Sequence, residues 1–353
     1  MINVLGLALY GAQAASTRHR LLQYIPELSK HGINLEVHFL LNDAYIKSKN
    51  EGAKLDSVNL LKTSLERLNV IINQRKYQCA IVHCEIFPLL PGFIESRLLH
   101  IPYIYDFDDA FYIKYFSRRF RILKPFLGRK FDSIIQNAEL VNAGNNELFS
   151  YAKKLNYNTN LLPTVIDSNR YFNKSRKLDD VFTIGWIGSP STAKYLNLVV
   201  PILSEICSNK EIRVRLIGSG PFDIPGVDID VMPWSEDNEV ELLHTFDVGI
   251  MPLFDTPWER GKCGFKLIQY MACSIPVIAS PVGVNCKIIE HEKNGFLAST
   301  SEEWKAALLT LMHDPKLGEK MGKEGKKIVE EKYSVTSALP NLVESVMKVS
   351  NRK

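Results

Sequence analysis

Short apolar, β-rich runs alternate along the whole chain with longer stretches of helical periodicity, and that alternation limits the fold more than any other feature. In the first half the strand candidates are Ile2–Leu9, Leu35–Leu40, Cys79–His83, Tyr103–Tyr105, Leu140–Ala143 and Leu161–Leu162, with helical patterns such as Thr17–His31 and Asn59–Gln74 between them. In the second half they are Phe182–Ile187, Val214–Ile217, Val227–Val231, Val248–Met251 and Val277–Ala279, with helices expected at 192–207, 237–245, 265–273, 302–312 and 315–331. Strands this apolar between helices imply parallel sheets covered on both faces. Two such halves predict an α/β chain of two Rossmann-like domains. The polar, turn-rich stretch Pro163–Asp180 is the expected join. It gives domains at 1–170 and 176–334, with a last helix at about 335–353 packing back on the first.

A chain of 353 residues is long enough for two cores, and 46% hydrophobic with 23% charged residues is a soluble globular balance. A net charge of +4 suits an anionic small molecule or an acidic membrane surface and does not call for nucleic acid. Six cysteines without a C-x-x-C pair read as reduced thiols of a cytosolic protein. "MINVLGLALYG" lacks the basic start of a signal peptide and reads as a first strand. The uncharged stretch Leu267–Cys286 is broken by prolines, Gly283 and polar residues, so no transmembrane helix is expected. The expected location is cytoplasmic.

Ligands of open α/β sheets lie beyond the carboxyl ends of the strands, so those loops are where chemistry is expected. After the first strand, Gly11 lets the backbone approach a ligand, and Arg18 stands near a helix start; a plain turn explains the loop as well. "IVHCE" sets His83 and Glu85 at a second strand end. "YDFDDA" crowds Asp106, Asp108 and Asp109 at a third, where a cation, sugar hydroxyls or basic groups would relieve their repulsion. In the second half, "IGSPSTAK" places Gly188 and Ser189 in a turn with Lys194 in the helix after it, the pattern of an anion site. Gly218 in "IGSGP" opens another such turn.

The segment "GKCGFKLIQYMAC" carries the sharpest signal. If a helix begins near Lys262, then Lys262, Lys266 and Gln269 share one face at spacings of four and three, opposite Phe265, Ile268 and Ala272. Two ammonium groups at a helix N-terminus repel each other and oppose the dipole, and a bound polyanion would remove both objections. Gln269 can donate and accept, which suits a ribose diol.

With these motifs in order, the chain resembles the retaining GT-B glycosyltransferases of the "group 1" type. "LIQYMACSIPVIASPVGVN…EHEKNGFL" is similar to that family's "LEAMACGxPVVAS…GG…NGxL" block, "LLPTVIDSNRYF" to its interdomain motif and "IGSGP" to its "xGxGP". The resemblance implies two Rossmann-like domains facing each other across a cleft, a nucleotide-diphosphate sugar as donor, and a saccharide or lipid-linked acceptor. It also implies retaining, metal-independent transfer with no further cofactor, usually in surface polysaccharide or glycolipid synthesis.

Carried over residue by residue, Asp108, Lys266 and Lys194 become catalytic candidates. Gly11, Gly188, Ser189, Gly218, Lys262, Phe265 and Gln269 become donor-binding candidates, and Arg18, His83, Glu85, Asp106 and Asp109 acceptor-side candidates. The chain departs from the pattern in three places. The family's pair of glutamates falls on Gly261 and Gln269, its catalytic-centre histidine on Asp108, and of its phosphate-binding Arg and Lys only Lys194 has a counterpart. A sugar-nucleotide epimerase on the same fold stays open as an alternative, and the lost glutamates keep open a catalytically silent nucleotide-sugar-binding protein. Finally, 113–131 holds seven Lys or Arg, no acid and apolar residues at helical spacing; it fits contact with anionic membrane or a surface helix with its apolar face in the core.

Overall fold

The computed structural model describes residues 1–50, 56–171, 181–207, 211–227 and 229–351. They form two compact units, one of Met1–Val165 with Gly261–Cys263 and Val335–Lys353, the other of Ile166–Arg260 with Gly264–Ser334. Of the expected join, 172–180 lies outside the described residues.

The first unit holds β1 (Ile2–Tyr10), β2 (Ile33–Leu41), β3 (Cys79–His83), β4 (Tyr103–Phe107), β5 (Leu140–Ala143) and β6 (Thr159–Leu161). They pair in parallel in the order β2-β1-β3-β4-β5-β6. The helix Val335–Ser350 packs against β3 and β4 of this unit. β3, β4 and β5 are buried at every residue, which is why they read as continuous apolar runs rather than alternations.

The second unit holds β7 (Phe182–Ile187), β8 (Ile212–Ile217), β9 (Ile229–Met232), β10 (Val248–Met251), β11 (Val277–Ala279) and β12 (Gly295–Leu297). Their parallel order is β12-β11-β10-β7-β8-β9. Counted within the unit this is the doubly wound 3-2-1-4-5-6 order, and the chain reverses direction between β7 and β10. In the first unit the equivalent reversal lies between β1 and β3. Crevices at the carboxyl ends of those strand pairs are where such sheets bind ligands.

The two-domain α/β expectation therefore holds, with local differences. The edge strand β12 was not foreseen, because "GFL" is too short to show a period. The expected helix at 192–207 is a 3-10 turn at Ala193–Leu198 and then a helix at Val200–Ile206, because Pro201 sits in that helix's first turn and has no N–H to continue the earlier one. Among the described residues no helix is long and apolar enough to cross a membrane. All six cysteines are free thiols.

Candidate active site

In the second unit, the helix Phe265–Ala272 is clamped to the sheet by Tyr270. Gly249 in β10 leaves room for the Tyr270 ring to lie on the strand, where an added Cβ would come within 2.4 Å of it. The Tyr270 hydroxyl accepts from the Ile187 N–H at 3.0 Å and donates to the Ile250 carbonyl at 3.3 Å, bridging the strands on either side of the chain reversal. Lys266 lies one turn earlier on the same helix face. Its Nζ stands 5.0 Å from the Trp186 ring centroid. A Cβ at residue 188 would meet the Trp186 ring at 2.4 Å and the Lys266 Nζ at 2.8 Å, so Gly188 is the space in which that ammonium sits.

Gly218 joins the same corner. With φ at +72°, it brings its Cα so close to Gly188 that an added Cβ would lie 2.5 Å from the Gly188 carbonyl oxygen. Both glycine N–H groups are engaged in closing the sheet ends, Gly188 on the Ile217 carbonyl and Gly218 on the Met232 carbonyl, each at 2.9 Å. They are therefore not the anion donors that the turn pattern suggested. Lys266 supplies the positive charge at this corner.

A buried polar chain runs from the Gly218 turn to the helix. The Trp234 indole donates to Glu239 at 2.7 Å, the Tyr171 hydroxyl donates to the other Glu239 oxygen at 2.8 Å, and the Gln269 amide reaches Tyr171 at 3.4 Å. Burial, with Glu239 beside it, raises the Tyr171 hydroxyl well above its usual range, so it stays a donor to that carboxylate. Trp186, Tyr171, Trp234 and Glu239 were not singled out from the sequence. The tryptophan between two glycines in "GWIG" was the available signal.

The shared-face arrangement of Lys262, Lys266 and Gln269 is corrected. Gly264 takes φ +67°, a left-handed conformation that starts the helix only at Phe265. Lys262 belongs to the first unit, where its Nζ is 3.5 Å from the Asp109 carboxylate. Asn145 holds this strap by donating to the carbonyls of Gly261 at 2.7 Å and Lys262 at 2.9 Å. Phe265 is half-buried against the core around Tyr270. Lys194 is exposed over the Tyr195 ring, and Ser189 is exposed with its N–H on the Thr192 hydroxyl.

In the first unit, neighbouring strands set His83 beside Asp106 in register, and His83 Nδ1 donates to the Asp106 carboxylate at 3.0 Å. The short helix Ala15–Arg20 completes this group from one face. Arg20 grips Asp106 with two nitrogens, at 2.9 and 2.6 Å, and Ser16 lies 3.0 Å from His83 Nε2. Burial alone would raise the Asp106 carboxyl, but Arg20 and His83 outweigh it and hold it below its usual value. Asp106 is thus an orienting group that fixes His83 through Nδ1 and leaves Nε2 turned toward Ser16.

Asp108 comes within 3.9 Å of His83 Nε2, and its buried Oδ1 has no hydrogen-bond partner. An orphaned buried carboxylate oxygen invites a ligand proton. Cys84 is also near, and ligand atoms of His83, Cys84 and Asp108 lie within 4.8 Å of one another. Metal–ligand bonds of about 2.0–2.3 Å would require these atoms to draw closer, and Ser16 already occupies His83 Nε2. Burial and the surrounding carboxylates keep Cys84 well above its usual pKa, as a thiol. The set fits a hydroxyl group better than a cation.

The remaining first-unit candidates have structural partners. Glu85 is buried in ion pairs with Lys114 and Lys130 and accepts from Tyr115, so it is spent on holding the fold. Arg18 is buried and donates to the carbonyls of Ala12 at 3.2 Å and Gln13 at 2.8 Å. Gly11 is packed against Asp43, where an added Cβ would meet the carboxylate at 2.3 Å.

The segment 113–131 is a run of short turns rather than one helix. Tyr115, Leu127, Lys130 and Phe131 face inward, while Arg118, Arg121, Ile122, Leu123, Lys124, Phe126 and Arg129 are exposed, Ile122 by 87% and Phe126 by 65%.

Residues 181–314 match the family model described as glycosyl transferases group 1. Most of the second unit is therefore similar to that family, and the whole chain has the GT-B fold of the solved structures it resembles. HepE of Anabaena, in complex with UDP-glucose, superposes with a TM-score of 0.75 at 16% identity, covering 99% of this chain and 100% of that one. Sucrose-phosphate synthase of Thermosynechococcus elongatus gives 0.74 at 12% identity, over 99% of both chains.

By sequence, the N-acetyl-alpha-D-glucosaminyl L-malate synthase of Bacillus anthracis is 26% identical over 146 residues, 38% of this chain and 37% of that protein. A probable sucrose-phosphate synthase of Thermosipho melanesiensis is 39% identical over 71 residues, 20% of this chain and 16% of that protein. These curated relatives are matched over less than half their length.

Proposed function

We propose that the chain is a retaining, metal-independent glycosyltransferase that moves a sugar from a nucleotide-diphosphate donor to a saccharide or lipid-linked acceptor in surface polysaccharide or glycolipid synthesis. The observation that carries this reading is the Lys266 ammonium seated at Gly188, at the chain reversal of the second sheet, where doubly wound sheets bind phosphates. There it would neutralise the diphosphate as the bond from the anomeric carbon to the leaving oxygen breaks, with Lys194 as a second cation. The acceptor hydroxyl would attack from the same face, its proton passing to the departing phosphate oxygen. Gln269, backed by Tyr171 and Glu239, would hold the ribose.

On the acceptor side, His83 Nε2 and the orphaned Asp108 oxygen would orient the hydroxyl that attacks. A lipid-linked acceptor is supported by the exposed basic and apolar residues between 113 and 131, which suit the anionic face of a membrane. The neighbours solved with UDP or UDP-glucose make a uridine donor the first to try.

One observation favours a second reading, a nucleotide-sugar-binding protein without transfer. Gly261 stands where the family has its sugar-side glutamate, and a Cβ there would lie 2.5 Å from the Ala110 Cβ, so no acid fits without moving the backbone. A thermal-shift panel of nucleotide sugars, followed by a donor-hydrolysis and transfer assay, tests both. Stabilisation with turnover supports the transferase, stabilisation without turnover supports the binding protein, and silence across the panel overturns both.

A further inference from the structure

The helix Ser57–Ile72 carries an apolar stripe left exposed among the described residues. Its inner face is fixed: Thr63, Arg67 and Ile71 are buried, and Arg67 donates to the carbonyls of Ala8 at 2.6 Å and His38 at 2.9 Å. Away from that face, Val58, Leu61, Leu65, Leu68 and Ile72 are exposed by between 41% and 78%. Their spacing is three, four, three, four, the 3.5-residue repeat of a helix-pairing seam rather than the broader face of a helix that lies against a core.

We propose that this stripe is an interface with a second copy of the same chain, helix against helix about a two-fold axis passing between Leu65 and Leu68. The pattern fits itself when reversed about a point between Leu65 and Leu68, which sets Leu65 opposite Leu68 and Leu61 opposite Ile72. Isologous contacts need that property. The exposed charges on the helix, Lys62 and Glu66, cancel. A lipid-facing helix would carry a broad apolar face flanked by bases, which this helix lacks. Two stripes laid together would remove on the order of 1,000 Å² from water, the lower bound of a specific interface. The helix is already folded and pinned by its capping Asp56 and by Arg67, so pairing need not order it.

The test is sedimentation equilibrium of the full chain from micromolar to about 100 µM, with Leu65→Lys and, separately, Val58→Glu with Ile72→Glu. The expected result is a concentration-dependent dimer whose dissociation constant rises at least about tenfold in both variants, with unchanged circular dichroism. A wild-type chain that stays monomeric at the highest concentration overturns the proposal. So does a dimer that both variants leave intact. Monomeric wild type whose vesicle binding is lost in Leu65→Lys would assign the stripe to lipid instead, and overturn it equally.

Discussion

Replacing Lys266 by Ala is the most direct perturbation of the proposed donor site. The ammonium sits over the Trp186 ring at 5.0 Å, in the space left by Gly188. A charge-assisted contact to a diphosphate is worth about 1.5–3 kcal/mol, so its loss should weaken nucleotide-diphosphate binding by roughly 10- to 150-fold. Stability should change little. The side chain is half-buried, and a lysine over an aromatic ring at a partly exposed site contributes about 0.5–1 kcal/mol, a shift of a few degrees in Tm for a domain of this size.

Lys266→Met separates charge from packing, since it keeps an unbranched stem on Trp186 and removes only the cation. Calorimetric titration of UDP and GDP into wild type, Lys266→Ala and Lys266→Met should show the same loss of affinity in both variants. Wild-type affinity in both would refute the assignment. A loss confined to Ala, together with a large fall in Tm, would show that Lys266 supports Trp186 and has no role in anion binding.

Asp108→Asn should cut transfer at least tenfold more than it cuts donor affinity, measured by initial rates and titration together; equal losses would remove it from the acceptor side. EDTA should leave transfer unchanged, and inhibition reversed by magnesium would overturn the metal-free reading. Arg118→Glu, Arg121→Glu and Lys124→Glu together should abolish co-flotation with vesicles rich in phosphatidylglycerol but leave transfer to a soluble acceptor intact; undiminished flotation would assign 113–131 to the fold alone.

Glu95 gives a pH signature. Burial raises its carboxyl to about 7 despite the Lys130 ammonium it shares with Glu85, which is itself held below its usual value. The folded state therefore binds more protons than the unfolded one between about pH 4.5 and 7, and stability falls as pH rises through that window. Urea midpoints measured from pH 5 to 7.5 should show the fall, and Glu95→Gln should flatten it.

The alternation of apolar runs and helices made the two sheets readable, because strands buried on both faces announce themselves as short, mostly apolar runs. It also placed Gly188, Gly218, His83 and Asp108 at strand ends, where they are found. What stayed hidden depends on contacts far apart in sequence. Arg20 meets Asp106 across 86 residues and turns an apparent acid candidate into a brace for His83. Glu85, which looked equally available beside it, is taken by Lys114 and Lys130. The helix face drawn through Lys262 failed on one backbone angle at Gly264 that no side-chain period records.

Gly261 shows how far such contacts reach into function. The strap Gly261–Cys263 is tied to the first unit by Asn145 and by the Cys263 thiol on the Asp108 carbonyl at 3.1 Å. That tie presses residue 261 against Ala110, and an acidic side chain there has no room. Restoring one therefore requires loosening the backbone that carries Asp108. If the chain transfers a sugar, the contacts that recognise it come from elsewhere, and Gly261→Glu should reduce stability and transfer together. A Gly261→Glu variant with wild-type Tm and higher turnover would show that the strap yields and that the glycine was never a steric requirement.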